Sequence, residues 1–598
     1  MEKKLAPEST VSCDVLIIGA GGAGMRCAAG ILEIAPELRI VALTKVVHPQ
    51  KSHTSTAQGG LAAVDPKDPT DRVIFHMFDT WKGSDCTADQ NVIKKICESA
   101  WQQVLWLENR GMHFSRDQEG RLRKRTFGGH TRNFGEFPAF RGVFEADRTG
   151  KGIMDTTWGE ALKRGITFFN QCIAVELLIR DRQCFGCIAL RLREGTFVKI
   201  LSRATVLATG GSGQVYKVTT NCRQNTADGP VLAMEAGLPV MDPEAVQFHP
   251  TGIVGPGILA SETLRSVGGI LRNKNLDAFM VNYAPKMKEL APRDLVARAI
   301  ETEIREGRGV FNADHNTFHV WIDLRHLPDE IHEKQIPDVR RFFKRYANVD
   351  TKTDLCPVRP SQHYHMGGIP TNEFGEVEDS DRQVVEGLYA VGECASASFH
   401  GFNRLATNSL LELITMGKVV ADRVVEYLQS GAAGKRKIKG ERFEEKFAGY
   451  LEAEGKESIG EIRAALQEVM TEKVGVFRKE EDIIAAIETL RDLKDRATHA
   501  ALSTRSLIMN LELLWRWELD NLLMMAMAIC QGALHRRESR GAHFREDFPD
   551  RKDEFNYHTL VTMPQFGEAE LGRRDIDMSV YNAQGEHYEK FGMVERKY

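Results

Sequence analysis

The chain runs Cys13-Asp-Val-Leu-Ile-Ile-Gly19-Ala-Gly21-Gly-Ala-Gly24 near its start, and this stretch decides its fold. Its first six residues form a short apolar run, which is typical of a buried parallel strand. Residues 25–34 are small and apolar and predict a helix that ends before Pro36, and residues 39–43 predict a second strand. The order is therefore strand, glycine turn, helix and second strand, all within about 30 residues. This order indicates a dinucleotide-binding unit.

The glycine turn is expected to hold the pyrophosphate of the dinucleotide. Glycines allow the tight turn and a close approach of the backbone, and the N-terminus of the next helix offers free N–H groups to the phosphates. The residues expected to contact it are Gly19, Ala20, Gly21, Gly22, Ala23 and Gly24. After the second strand the chain has Thr44-Lys45, where NAD-binding domains place an acid on the ribose. The missing acid favours FAD over NAD, with Thr44 and Lys45 as further candidate contacts.

Composition excludes several classes of protein. The 598 residues are 42% hydrophobic and 27% charged, close to an average soluble protein, which excludes disordered, collagen-like and coiled-coil chains. A formal charge of −4, from 79 Lys and Arg against 83 Asp and Glu, gives no electrostatic footprint for nucleic acid. No stretch approaches the roughly 18 uninterrupted apolar residues of a membrane span, and the first ten residues lack the apolar region of an export signal, so we expect no export.

The eleven cysteines are scattered, which predicts reduced thiols in a cytosolic protein and offers no framework for an iron–sulfur cluster. The one close pair is Cys184 and Cys187, between strand-like runs at 174–179 and 187–192. We interpret the pair as part of a β-hairpin whose turn contains Gly186 rather than as a metal or redox site, because no second pair of this spacing accompanies it. No metal site is predicted.

Two later segments, 204–211 and 387–393, repeat the strand followed by a glycine turn. If both join the first strand in one sheet, the fold is α/β, with a discontinuous Rossmann-like FAD-binding domain that carries an inserted α+β capping domain. A helical domain and an irregular C-terminal tail follow, because residues 441–535 are nearly free of proline and rich in helix formers. The predicted boundaries are 1–245 and 366–430 for the FAD-binding domain, 246–365 for the capping domain, 441–545 for the helical domain and 546–598 for the tail.

Three further segments complete the predicted organisation. Within the insert, residues 285–305 predict a helix and residues 320–324 a strand. Residues 410–428 have helical periodicity, and the Gly-, Ala- and Lys-rich residues 429–440 that follow predict a linker.

Polar residues form unusual clusters beside the glycine turns. The clusters are Lys51-Ser52-His53 with Gln58-Gly59-Gly60, Gln247-Phe-His249-Pro-Thr251-Gly252, Ser261-Glu262 with Arg265, Pro292-Arg293-Asp294, His363-Tyr364-His365-Met366-Gly367-Gly368, and Gly401-Phe-Asn403-Arg404 with Asn408-Ser409. Each alone has an ordinary interpretation, such as a structural histidine, a surface arginine or a helical ion pair. Together they flank turns where ligand crevices occur, so we interpret them as a candidate active site.

With these motifs the chain resembles the flavoprotein subunits of the succinate dehydrogenase and fumarate reductase family, most of all those of bacterial quinol:fumarate reductases. The motifs that carry the resemblance are the first glycine turn, Ser52-His53-Thr54, 57–60, Ala208-Thr209-Gly210-Gly211, 247–252, Pro292-Arg293-Asp294, 363–368, Val391-Gly392-Glu393, 400–410 and 539–549. They occur in the family's order over most of the chain, which makes the resemblance specific.

The resemblance implies FAD as the cofactor, attached covalently to His53 through the flavin methyl group. Such a bond anchors the cofactor and raises its potential. The family match also implies which residues contact FAD beyond the first turn and strand: Ser52, His53, Thr54, Gln58, Gly59, Gly60, Ala174, Ala208, Thr209, Gly210, Asp228, His363, Tyr364, Glu393, Arg404, Asn408, Ser409 and Leu410.

The resemblance further implies that the chain interconverts fumarate and succinate, dianions whose pocket must supply positive charge and hydrogen-bond donors. The substrate-binding residues that the match implies are His249, Ser261, Glu262, His363, Arg404 and Gly60. Arg293 matches the proton donor, and Glu262 and Arg265 match its relay to solvent; with His249, His363 and Arg404 they form the catalytic set. An arginine, with a pKa above about 12, can act as an acid only if it is buried beside other cations.

The chain departs from the family pattern in two places. Val267 stands where the family has an acid near the proton relay, and Ala406-Thr407 stands where the family has two small residues, the first of them glycine. We expect these changes to tune the rate without altering the reaction.

Two other functions stay open at this point. An L-aspartate oxidase shares the fold and the arginine acid but holds FAD non-covalently, so His53 discriminates against it. A non-catalytic subunit that carries flavin for electron transfer would have no reason to keep His249, Arg293, His363 and Arg404 together.

The resemblance also implies partners and a location. The partners are an iron–sulfur subunit that exchanges electrons with FAD and a membrane anchor that handles quinone. The expected location is peripheral, on the cytoplasmic face of the inner membrane. Fumarate reduction is the expected direction, and succinate oxidation is its alternative.

Overall fold

A computed structural model describes residues 5–431, 438, 440 and 442–596. The predicted linker at 429–440 lies mostly outside these residues. The apolar run near the start forms the fully buried strand Val15–Ile18, inside a ten-stranded sheet. The strands along this sheet are Ser9–Ser12, Thr196–Leu201, Gln183–Arg191, Val384–Ala390, Ala204–Leu207, Val15–Ile18, Ile40–Thr44 and Thr167–Asn170, with Cys172–Arg180 and Glu376–Glu378 paired beside them.

The centre of this sheet is parallel and discontinuous in sequence. Val15–Ile18 pairs in parallel with Ile40–Thr44 on one side and with Ala204–Leu207 on the other. Ala204–Leu207 pairs in turn with Val384–Ala390. The three predicted strands with glycine turns therefore join one sheet, which confirms the discontinuous Rossmann-like fold. The exact domain boundaries stay a prediction.

The insert forms a five-stranded antiparallel sheet. Its strands are Val246–Ile253, Cys356–His365, Thr317–Asp323 and Ile270–Arg272 in that order, with Val310–Asn312 paired to Thr317–Asp323. The first and the last strand of the insert are neighbours, which places Gln247 opposite Tyr364 and His249 opposite Ser361. The predicted helix at 285–305 begins only at Arg293, because Ala291 precedes Pro292 and is extended with ψ 158°.

Helices cover both sides of these sheets and follow them in sequence. The helices of the described ranges are Gly22–Ile34, Val73–Gly83, Gln90–Glu108, Thr149–Lys163, Asp228–Glu235, Thr263–Ser266, Met280–Tyr283, Arg293–Glu303, Pro337–Tyr346, Asn408–Gln429, Arg442–Glu452, Ile459–Lys473, Glu480–Thr498, Leu511–His535 and Ser579–Asn582. Ile459–Lys473, Glu480–Thr498 and Leu511–His535 pack on one another through buried aliphatic side chains, which confirms the helical domain. Within residues 5–431 and 442–596, none of the helices combines the length and apolar character of a membrane crossing.

The hairpin that holds the close cysteine pair differs from the prediction. Its turn lies at Asp181-Arg182, both with positive φ, between the strands Cys172–Arg180 and Gln183–Arg191. Gly186 instead lies inside the second strand, where φ is 119° and an added Cβ would lie 1.9 Å from the carbonyl oxygen of Ile200. The glycine is needed for close strand packing rather than for the turn.

The tail that was predicted to be irregular contains a β-hairpin. Tyr557–Thr562 and Glu570–Asp575 pair with each other, and Tyr557–Thr562 also pairs with Val240–Met241. The second strand is mostly exposed and charged, so it lacks the apolar alternation by which sequence indicates a strand.

Candidate active site

A cavity of about 750 Å³ lies at the carboxyl ends of the parallel strands, between that sheet and the inserted one. Ile18, Leu43 and Ala208, at or just beyond the ends of neighbouring parallel strands, line one side. His249 and His363 from the insert line the other. The carboxyl edge of a parallel sheet is where open α/β folds bind their ligands.

Nearly all the predicted site residues line this cavity. They are Gly19, Ala20, Gly21, Gly22, Ala23, Thr44, Lys45, Ser52, His53, Thr54, Gln58, Gly59, Gly60, Ala174, Ala208, Thr209, Gly210, Asp228, His249, Ser261, Glu262, Arg293, His363, Tyr364, Glu393, Arg404, Ser409 and Leu410. Gly24, Arg265 and Asn408 do not line it. Gly24 packs on the carbonyl oxygen of Gly19, Arg265 lies behind Glu262, and Asn408 hydrogen-bonds the side chains of His76 and Thr80.

One end of the cavity, the cofactor end, is formed largely by backbone around the first glycine turn. Gly19 has φ 116°, and a Cβ there would lie 2.1 Å from the carbonyl oxygen of Ala208, so no other residue fits. The N–H of Gly22 donates to Thr54 Oγ1 at 3.1 Å. The helix Gly22–Ile34 begins here, so its N-terminus adds partial positive charge beside the cradle. This shape and charge fit the pyrophosphate of a dinucleotide.

Two ionisable groups, Lys45 and Glu393, border the cofactor end. Lys45 Nζ pairs with Asp228 Oδ2 at 2.8 Å and with Glu518 Oε1 at 2.9 Å. Burial opposes the charge of Lys45, but the two carboxylates outweigh it and raise its pKa. Burial also raises the pKa of Glu393 to about 7, although this carboxylate accepts the N–H of His365 at 3.1 Å.

The other end, the cationic end, is built from side chains that come from distant segments. His249 and His363 lie on the paired first and last strands of the insert, with their ring centroids 4.9 Å apart. Arg293 is the first residue of the helix Arg293–Glu303, and Arg404 lies in the loop before the helix Asn408–Gln429. All four side chains face the same cavity.

His249 presents a free donor to this end. The N–H of Thr251 donates to its Nδ1 at 3.2 Å, so the ring proton belongs on Nε2. Nε2 is buried and has no partner among the described residues. Burial, followed by the charge of Arg293, holds the pKa of His249 well below its usual value, so the imidazole is neutral. A buried donor without a partner fits a ligand oxygen.

Arg293 is held by a buried carboxylate. Its Nε donates to Glu262 Oε2 at 2.7 Å, and Glu262 Oε1 lies 3.4 Å from Arg265. Burial opposes ionisation of Glu262, but Arg293 and Arg265 outweigh it and lower its pKa to about 2. Arg293, Glu262 and Arg265 therefore form a continuous chain of charged groups that leads away from the cavity.

Arg404 brings a second guanidinium to the cationic end. It lies over the Tyr364 ring at 4.8 Å, and its Nε has no partner among the described residues. Burial and the nearby charge of Arg293 lower its pKa to about 9, which still leaves it charged at neutral pH. Three buried arginines against one glutamate leave excess positive charge, which fits a dianion.

His53 lines the cavity between its two ends. Its Nδ1 lies 3.2 Å from Thr56 Oγ1. Partial burial and the nearby charge of Arg404 lower the pKa of His53 below its usual value, so its imidazole is neutral and has a free lone pair at neutral pH. A neutral imidazole is the form that can make a covalent bond.

Sequence reasoning missed two neighbours of the site. Thr220 Oγ1 lies 2.7 Å from His363 Nδ1, although the residues are 143 positions apart. The N–H of Gly128 donates to Glu262 Oε1 at 3.1 Å. Neither residue belongs to a motif with its partner, so no local signal in the sequence marks it.

Several known proteins are similar to this chain in sequence and in fold. The family model described as FAD binding domain matches residues 14–410, and the one described as Fumarate reductase flavoprotein C-term matches residues 463–598. The succinate dehydrogenase flavoprotein subunit of Rickettsia conorii is 40% identical over 575 residues, 95% of each chain. The 8-methylmenaquinol:fumarate reductase flavoprotein subunit of Wolinella succinogenes is 35% identical over 96% of this chain and 93% of its own. A solved E. coli quinol fumarate reductase chain has a TM-score of 0.89 at 33% identity, over 98% of this chain and 100% of that one.

These matches extend over both halves of the cavity and over the helical domain. The chain therefore belongs to the family of succinate dehydrogenase and fumarate reductase flavoprotein subunits, an oxidoreductase family, and FAD is its cofactor.

Proposed function

We propose that the cavity interconverts fumarate and succinate, with Arg293 donating the proton to fumarate and accepting it from succinate. One observation supports the proposal most strongly. Arg293 forms a salt bridge with Glu262 and lines the same cavity as His249, His363 and Arg404. A dianion at this end would meet two guanidinium groups and two neutral imidazoles. Such a pocket selects a small dicarboxylate over a neutral or cationic ligand.

Different side chains bind the two carboxylates of the substrate. Arg404 and His363 bind one, and the free Nε2 donor of His249, with Ser261, binds the other. Glu262 borders the same end, and Gly60 completes the wall. Because His249 and His363 lie on paired strands, the two carboxylate subsites have a fixed spacing.

The reaction adds a hydride to one alkene carbon of fumarate and a proton to the other. FAD supplies the hydride when it is bound and takes it up in the reverse direction. Arg293 gives the proton, and Arg404 stabilises the negative charge that develops on the substrate. Glu262 and Arg265 return a proton to Arg293 from solvent, which the buried chain of charged groups supports.

The FAD is proposed to be attached covalently to His53, whose neutral ring supports this role. Electrons are proposed to pass through an iron–sulfur subunit and a membrane anchor that handles quinone, on the cytoplasmic face of the inner membrane. We place fumarate reduction first as the physiological direction, supported by the likeness to the E. coli quinol fumarate reductase chain. Succinate oxidation is the second candidate, favoured by the higher identity to the Rickettsia subunit.

The flavin-loaded chain tests this proposal with artificial electron carriers. We expect it to reduce fumarate with reduced methyl viologen and to oxidise succinate with a dye acceptor, and to leave L-aspartate unchanged. Flavin fluorescence should stay with the denatured polypeptide and be lost from it in His53→Ala. Turnover of L-aspartate with no turnover of fumarate or succinate would contradict the proposal. Protein-film voltammetry of the whole complex, comparing fumarate and succinate currents, decides the direction.

A further inference from the structure

The C-terminal signature Ser539-Arg540-Gly541-Ala542-His543 takes no part in the chemistry above, yet it folds beside the site. The N–H of Arg540 donates to the carbonyl oxygen of His543 at 2.8 Å, and the N–H of His543 donates back to that of Arg540 at 3.0 Å. Gly541 has φ 56°, in the left-handed region. Residues 540–543 therefore form a closed, rigid turn, here called the C-terminal turn.

The C-terminal turn holds the loop that carries Arg404. The N–H of Ala542 donates to the carbonyl oxygen of Phe402 at 2.8 Å, two residues before Arg404. A Cβ on Gly541 would lie 2.5 Å from that same oxygen, so only glycine allows this approach. The buried Phe402 side chain belongs to a small apolar cluster with Ala542 and Tyr364. Both backbone and side chain thus fix this loop to the turn.

The same turn holds the helix that carries Arg293. Arg298, on that helix, donates from Nη1 to the carbonyl oxygen of Gly541 at 2.9 Å. Its Nη2 donates to Asp294 Oδ2 at 3.2 Å, so one guanidinium links the first turn of the helix to the C-terminal turn. Three of the four atoms in these two bonds belong to charged side chains, which makes the link strong for its size.

The C-terminal turn has its own anchor in the protein. The N–H of Gly541 donates to Asp85 Oδ2 at 2.8 Å. Arg540 pairs with both carboxylate oxygens of Glu538, at 2.7 and 3.0 Å. The side chains of Asp85, Glu538 and Arg540 are all buried. The turn is therefore a fixed point to which both the Arg404 loop and the Arg293 helix are attached.

We propose that the C-terminal turn is a brace that sets the position of Arg293 relative to Arg404, with Arg298 as the positioning residue that connects it to the Arg293 helix. The two arginines come from different segments and carry like charges, so they repel each other in a buried site. The brace holds both in place against this repulsion. This inference rests on the proposed roles of Arg293 and Arg404.

Arg298→Met tests the brace in the flavin-loaded chain, because methionine keeps the apolar stem and removes every donor. We expect kcat/KM for fumarate to fall about tenfold or more, the equivalent of one hydrogen bond from a charged group. We also expect weaker binding of malonate, a saturated dicarboxylate that cannot be reduced, measured by titration of the flavin spectrum. FAD content should be unchanged, since Arg298 does not line the cavity.

Two further variants separate positioning from general stability. Arg298→Lys keeps one charged donor and should recover a large part of the lost kcat/KM. Arg305→Met is the matched control: Arg305 follows the same helix and pairs with Glu546 at 2.9 Å, three residues beyond the C-terminal turn. Its loss removes none of the bonds that join the turn to Phe402 or to Arg298, so it should leave the kinetics unchanged. Equal melting temperatures for Arg298→Met and Arg305→Met with different kinetics would support the brace.

Several outcomes would overturn the brace. Unchanged kcat/KM and malonate affinity in Arg298→Met would do so, and so would an equal kinetic loss in Arg305→Met. If Arg298→Met does not fold, Arg298→Gln replaces it. Equal kcat/KM and equal malonate affinity in Arg298→Lys and Arg298→Gln would then overturn the brace. Failure of the wild-type chain to turn over fumarate and succinate would instead refute the proposed function, so the two failures are distinguishable.

Discussion

The two ends of the cavity are built in opposite ways. The cofactor end is mostly backbone: the glycine turn, the start of one helix and the ends of parallel strands, whose shape leaves no room for a Cβ at Gly19. The cationic end is side chains, with His249, Arg293, His363 and Arg404 drawn from distant segments. Binding at the cofactor end depends on the space that the backbone leaves, and binding at the cationic end depends on the charge of the side chains. Substitutions should therefore separate retention of FAD from turnover.

The largest effect is expected at the cofactor end, from Gly19→Ala. A Cβ at this position would lie 2.1 Å from the carbonyl oxygen of Ala208, and φ 116° is unfavourable for alanine, so the turn must open. We expect purified protein without FAD and without turnover, measured as the ratio of flavin absorbance to protein. Gly159→Ala is the control, because nothing lies within 4 Å of a Cβ there and it should keep its FAD. A flavin-replete Gly19→Ala would contradict the steric account of this end.

At the cationic end, Arg404→Met should leave FAD bound and remove most of the turnover. Losing a buried guanidinium that pairs with a carboxylate costs about 2–5 kcal/mol, so kcat/KM should fall by about 30- to 5,000-fold. Steady-state kinetics with fumarate and the flavin content of the same preparation check this together. Loss of FAD in proportion to loss of turnover would break the contrast between the two ends.

Glu262→Gln should have a smaller effect that falls mainly on kcat. The amide keeps an acceptor for Arg293 but cannot carry a proton, so substrate binding stays while return of the proton slows. We expect kcat to fall by about 10- to 100-fold with KM changed little, and a solvent deuterium isotope effect that grows relative to wild type. An unchanged kcat would remove Glu262 from the proton relay.

The smallest effect is expected at the cofactor end, in the pH dependence of stability. Burial raises the pKa of Glu393 from 4.5 to about 7, so the folded protein favours its protonated form. The stability that this group contributes is complete below pH 4.5 and is lost as the pH rises through about 7. Glu393→Gln, which stays neutral, should therefore gain about 1 kcal/mol over wild type between pH 5 and 6, measured by urea unfolding. A constant difference across this range would contradict the raised pKa.

The same contrast explains what the sequence could predict. The glycine turn of residues 19–24 was predicted with its strand and helix because a contiguous backbone feature leaves a contiguous pattern. The positions of His249 and His363 depend on which strands pair, and the sequence indicates this only through family resemblance. Thr220 and Gly128 contact His363 and Glu262, which are distant from them in sequence, and no local pattern indicates these contacts. The turn at Asp181-Arg182 was missed because two non-glycine residues adopt positive φ there.

The central claim is that Arg293 moves the proton, and Arg293→Lys tests it most directly. Lysine keeps the positive charge but cannot reproduce the paired N–H groups that reach Glu262 and Gln247 at 2.7 and 3.2 Å. The measurement is the rate of fumarate reduction and of succinate oxidation by the flavin-loaded variant, with malonate binding followed on the same sample. We predict that both rates fall to about 1% of wild type or less while FAD and malonate stay bound. Unchanged rates in both directions would contradict the account.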